Sequence, residues 1–79
     1  MQLFIGNLSF DAKDSDLMKF FAGHGLVTSA KVVMKKNKKK SRGFGFIEIS
    51  DEAEARAAIA ALDGKELMGR VVSVTEVQP

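Results

Sequence analysis

The chain opens with an apolar triplet, Leu3-Phe4-Ile5, stopped by Gly6-Asn7, the pattern of a short, largely buried strand followed by a turn. Asp11, Asp14 and Asp16 then precede Leu17, Phe20, Phe21 and His24, whose i, i+3, i+4, i+7 spacing predicts a helix from about Asp14 to Ala22. The acids suit the positive end of the helix dipole, Asp11 and Asp14 both qualify as its cap, and Gly23 and Gly25 are natural stops. Val27 to Met34 is rich in β-branched residues, with Ala30, Val32 and Met34 alternating against Lys31 and Val33, and reads as a strand. A basic loop over Lys35–Ser41 joins it to a strand over Gly43–Ile49. Asp51–Leu62 is an Ala-rich helix with its apolar stripe at Ala55, Ala58, Ile59 and Leu62, ended by Asp63-Gly64. Arg70–Val77 alternates Val72 and Val74 against Ser73 and Thr75 as a last strand.

The order strand–helix–strand–strand–helix–strand is that of an α+β, ferredoxin-like βαββαβ sandwich. Right-handed crossovers set the first and third strands side by side at the centre of a four-stranded antiparallel sheet, order 4-1-3-2 in strands numbered along the chain. Both helices then cover one face and leave the other open. With 79 residues, residues 1–79 are read as one domain.

Charge changes this picture. The net charge of +2 conceals six positive charges within eight residues, Lys35, Lys36, Lys38, Lys39, Lys40 and Arg42. The other 71 residues carry six basic and ten acidic side chains, a balance of −4. One concentrated basic loop on a mildly acidic domain suits a polyanion approached from one side, and equally suits a solvated turn. Composition excludes more than it assigns. The chain has no Cys and one His, so thiolate metal sites, cysteine nucleophiles, disulfides and multi-His zinc sites are out of reach. No apolar run approaches the ~20 residues of a membrane span, and no secretory signal is visible, so a cytoplasmic location is expected, or a nuclear one in a eukaryote.

Period-two alternation assigns the faces. Leu3 and Ile5 point toward the helices and Phe4 away from them. Gly45, Ile47 and Ile49 point inward, leaving Arg42, Phe44, Phe46 and Glu48 outward. Three rings on adjacent strands of an uncovered face, beside cations, suit single-stranded nucleic acid, whose bases stack on rings while Lys and Arg neutralise phosphates. Gly43 and Gly45 are expected to keep that platform free of bulk. Phe10, Phe20 and Phe21 are read as core or loop packing, His24 as a partly buried residue at a helix end, and Arg70 as structural. Glu48 is left open between hydrogen-bonding a base and discouraging phosphate.

Arg42-Gly43-Phe44-Gly45-Phe46-Ile47-Glu48-Ile49 resembles the octamer signature of the RNA recognition motif family, matching outright at six of its eight positions. Leu3-Phe4-Ile5-Gly6-Asn7-Leu8 is similar to the family's hexamer, about 40 residues upstream as the family requires. The resemblance covers essentially the whole chain and extends to the single-domain RNA-binding proteins of bacteria; a whole small protein and an excised domain fit it equally. It implies that Phe4 and Phe44 each stack a base, that Phe46 packs on the sugars between them, and that Arg42 pairs with a phosphate. It further implies contacts from Lys31 and Val33 on the second strand and from Thr75 to Gln78 at the end of the chain. Asn7 is placed at the platform's edge, where contact with the ligand and stabilisation of the turn are equal readings. Lys36, Lys38 and Lys39 make the loop more basic than the family's usual turn, which is expected to add sequence-independent affinity. Ile49 stands where an aromatic is usual but at the inward end, and Lys13 where a capping Ser or Thr is common.

The implied function is non-catalytic binding of single-stranded RNA, with single-stranded DNA also admitted, by a monomer that uses no cofactor, metal or small-molecule substrate. The alternative is a protein-interaction module using the same sheet face or the helices. A small ferredoxin-like hydrolase recruiting Arg42, Asn7 and His24 is the weakest reading, since no phosphate cradle or paired carboxylates support it.

Overall fold

The computed structural model describes residues 1–36 and 40–77. Four strands, β1 (Gln2–Gly6), β2 (Val27–Met34), β3 (Ser41–Ile49) and a last strand over Ser73–Glu76, form one antiparallel sheet. Helices α1 (Asp14–Phe21) and α2 (Glu52–Leu62) pack on one side of it. A two-stranded ribbon, β4 (Glu66–Leu67) and β5 (Arg70–Val71), precedes the last strand, which is therefore β6. The sheet order β2-β3-β1-β6 is the 4-1-3-2 arrangement expected from the element order.

The core lies between sheet and helices. Leu3, Ile5, Val32, Ile47, Ile49 and Val74 come from the strands and meet Leu17, Phe21, Ala55, Ala58 and Leu62 from the helices. All are the inward residues of their period, so the strand alternation and both helical stripes hold. Ile49 is fully buried, as its inward position requires, while Phe20, Ile59 and His24 are only half-buried. Met34, which alternates in step with Ala30 and Val32, is exposed, and the β2–β3 register shifts between Val32 and Met34.

Two helix starts use different chemistry. At α2, the Asp51 carboxylate accepts from the Glu54 N–H at 2.9 Å, an ordinary N-cap. At α1 neither Asp11 nor Asp14 is the cap. Lys13 occupies that position, and its N–H is held by the Asp16 carboxylate at 2.8 Å. The Asp14 carboxylate is used elsewhere: it accepts from the Val32 N–H at 2.8 Å and ties the helix to β2, an edge strand with one row of backbone groups unpaired by the sheet. Asp63 does the same at the other end of the sheet, accepting from the Val74 N–H at 2.9 Å.

The region expected as one strand over Arg70–Val77 is divided. Met68 and Gly69 both have positive φ, 52° and 85°, the requirement of a tight two-residue hairpin between β4 and β5. Val72 then pairs with the residues after α2: its N–H donates to the Lys65 carbonyl, and its own carbonyl accepts from the Gly64 N–H. Pairing with β1 begins only at Ser73.

Candidate nucleic-acid interface

The face away from the helices is a grid of cross-strand rows. In the central row Lys31 stands opposite Phe46, Phe46 opposite Phe4, and Phe4 opposite Thr75. Phe44 lies two residues from Phe46 on β3 and shares its face. The three rings are half-buried and largely cover one another. Centroids are 5.5 Å apart for Phe4–Phe44 with planes tilted by 32°, 5.8 Å for Phe4–Phe46 and 6.2 Å for Phe44–Phe46, the last two edge to face. These separations are those at which aromatic quadrupoles attract, so the cluster is held without a helix above it.

Glycine placement differs from expectation. Gly45 clears the core side: a Cβ there would sit 2.5 Å from the Lys31 carbonyl oxygen and 2.9 Å from Leu17 Cδ1. Gly43, at φ +83°, would meet the Phe10 ring at 3.1 Å. The glycine that frees the platform is Gly6, where a Cβ would stand 3.0 Å from the Phe4 ring and 2.7 Å from Ser73 Oγ. Phe4 leans into the space that Gly6 leaves.

Arg42 is exposed, with its guanidinium 5.7 Å from the Phe44 ring centroid, within cation–π range. Lys31 is exposed beside Phe46, Val33 is half-buried, and Lys36 is exposed after β2, where the Lys35 N–H and Lys40 carbonyl close the loop at 2.8 Å. Lys38, Lys39 and Gln78 lie outside the described residues. Asn7, at φ 59°, has both amide atoms engaged: Nδ2 donates to the Val71 carbonyl at 2.6 Å, and Oδ1 accepts from Arg70 at 2.6 Å. Asn7 thus joins the end of β1 to the β4–β5 ribbon, and Arg70 has the structural contact expected of it.

Phe10 departs from its expected place among packed residues. It is 64% exposed, with Gly43 beneath one edge and the Arg70 guanidinium 6.0 Å from its centroid. Loop sequence carries no periodicity, so nothing in Ser9-Phe10-Asp11 announces this exposure.

Charge grades along β3. Arg42 and Glu48 stand six residues apart, ~20 Å at ~3.3 Å per residue. At the Glu48 end, Gln2, Glu48, Glu52 and Glu76 line a shallow depression. Glu52 is bound to Arg56 at 2.5 Å, and that hydrogen bond, with the guanidinium charge, lowers its pKa from the ordinary value.

Comparison with known proteins agrees with this geometry. A family model described as RNA recognition motif matches residues 3–73. "Putative RNA-binding protein RbpA" of Synechocystis sp. is 42% identical over all 79 residues, which span 78% of that protein. The chloroplastic 28 kDa ribonucleoprotein of Spinacia oleracea is 48% identical over 73 residues, 92% of this chain but only 31% of the plant protein. Among solved structures, the crystal structure of RNA Binding Protein PG1 superposes with a TM-score of 0.94 at 39% identity, covering 100% of this chain and 95% of that one.

Proposed function

The chain belongs to the RNA recognition motif family, and on that premise we propose that it binds single-stranded RNA by stacking bases on Phe4 and Phe44. Phe46 then packs against sugars, and Arg42 and Lys31 meet phosphates from the two sides of the ring cluster. The observation that carries the reading is the ring triplet itself, three Phe within 6.2 Å of one another on the face that neither helix covers. The names of relatives support RNA as the partner. The 79 residues act as one domain and as a monomer in the cytoplasm, without catalysis. Single-stranded DNA meets the same rings and cations, and competition between the two polymers measures any preference for the 2′-hydroxyl.

The basic loop extends the reading. Lys36, Lys38 and Lys39, with Gln78 past the last strand, are proposed to add contacts at the platform's margin. Asn7 supports the platform's edge through Val71 and Arg70 rather than by offering a free amide.

Fluorescence anisotropy of end-labelled single-stranded RNA over a salt series tests both parts, the label being on RNA because the chain has no Trp or Tyr. Saturable binding that weakens with salt is expected. Changing Lys36, Lys38 and Lys39 to Gln is expected to flatten the log–log salt slope by about 0.7 for each phosphate that is no longer neutralised. An unchanged slope means that the loop is only solvated. Failure of the folded wild type to bind at low salt would overturn RNA binding and leave the ring cluster as a protein-docking face.

A further inference from the structure

The row of the grid beyond the rings is polar: Ser29 stands opposite Glu48, and Glu48 opposite Gln2. Both Gln2 and Glu48 are exposed on the open face, two residues along their strands from Phe4 and Phe46. A base stacked on the Phe4 ring is within reach of this pair, since outward residues on one strand repeat every ~7 Å. The Glu48 side chain has no hydrogen-bond partner among the described residues, and neither has that of Gln2; Glu52 close by is already committed to Arg56. With further carboxylates lining the same depression, this end of the platform repels phosphate and attracts hydrogen-bond donors.

We infer that Gln2 and Glu48 read the Watson–Crick edge of a guanine stacked on Phe4. The inference rests on the stacking reading and adds the base. Directly opposed residues on paired strands have Cβ atoms ~5 Å apart, so the pair presents, side by side, an amide N–H donor and two carboxylate acceptors. Guanine presents the complement, the O6 acceptor followed by the N1–H and N2–H donors. Adenine and cytosine put a ring-nitrogen acceptor beside their amino group, against the carboxylate, and uracil flanks its one N–H with two carbonyls. Only guanine satisfies all three positions, and a carboxylate accepting two N–H bonds has charge-assisted strength.

The test uses labelled short oligouridines carrying one central guanosine, inosine or adenosine, with uridine alone as reference. Inosine keeps O6 and N1–H but lacks the 2-amino group. Wild type is expected to bind the guanosine RNA about ten-fold more tightly than the adenosine and uridine RNAs, with inosine between. In E48Q the guanosine advantage is expected to fall to about two-fold or less, while the uridine RNA binds at least as well as to wild type because a negative charge is gone. Far-UV circular dichroism confirms that E48Q, altered at an exposed site, is folded. Equal affinity of wild type for all four RNAs, with binding still weakened in F4A/F44A, overturns the guanine reading and leaves stacking intact. A guanosine preference that survives E48Q overturns the assignment to Glu48. Absence of binding to every RNA overturns both readings.

Discussion

F4A/F44A is expected to bind single-stranded RNA at least 2 kcal/mol more weakly than wild type, about thirty-fold, while remaining folded. Each stacked base contributes ~1–3 kcal/mol by alanine substitution, and the two rings touch, so their effects combine without adding strictly. The cost to the fold is smaller. Both rings are half-buried and contact mainly each other and Phe46, so removing ring pairs of ~0.5–1.5 kcal/mol each leaves the packing of Leu3, Ile5, Ile47 and Leu17 in place. Anisotropy and thermal melting on the same sample separate the two effects. A variant that keeps full affinity refutes stacking. One that loses stability on the scale of buried Phe→Ala changes, ~3–5 kcal/mol each, places the rings in the core.

Gly45→Val is expected to do the reverse and strike the fold. Gly45 sits at the crossing of β1, β3 and β2, opposite Ile5 on one side and Val32 on the other. A side chain there meets the Lys31 carbonyl at 2.5 Å and Val32 Cα at 3.2 Å, both backbone of a paired strand, with Leu17 at 2.9 Å closing the other side. No rotamer change relieves contact with backbone. The central strands must separate, at about 3 kcal/mol or more, the upper end of overpacking costs. Against a total stability of ~5–15 kcal/mol that is a large fraction, and urea unfolding should show a much lower midpoint. A midpoint close to wild type would mean that the sheet accommodates bulk at its centre.

The contrast between these variants shows which parts of the molecule are legible in sequence. Phe44, Gly45 and Phe46 are adjacent, and alternation alone assigns two to the platform and one to the core. The facing of Leu3, Ile5, Ile47 and Ile49 follows from the same period, because each inward residue is apolar and a one-residue slip would bury Glu48 and Arg42. The helices are equally clear, because Leu17, Phe20 and Phe21 or Ala55, Ala58 and Leu62 recur at helical spacing. Departures arise where backbone conformation or long-range hydrogen bonds decide. Nothing periodic marks the break at Val72, although Met68-Gly69 is the kind of pair that turns a two-residue hairpin once the chain is known to reverse there. Asp14 looks like a cap in sequence, and only the tertiary fold brings it to the Val32 N–H, eighteen residues away. Asn7 and Arg70 are 63 residues apart, and their hydrogen bond depends on the ribbon's return to the end of β1. Gly6 is hidden for a related reason: its role depends on the lean of the Phe4 ring, a side-chain direction that alternation does not specify.

The measurement closest to the central claim is amide chemical-shift mapping of the 15N-labelled chain titrated with a short guanosine-containing single-stranded RNA. The largest perturbations are expected on the open face of β1 and β3, at Phe4, Phe44, Phe46 and their neighbours Lys31 and Thr75, with the amides of α1 and α2 nearly still. Perturbations confined to the helices, or none at saturating RNA, would contradict a stacking platform on the sheet.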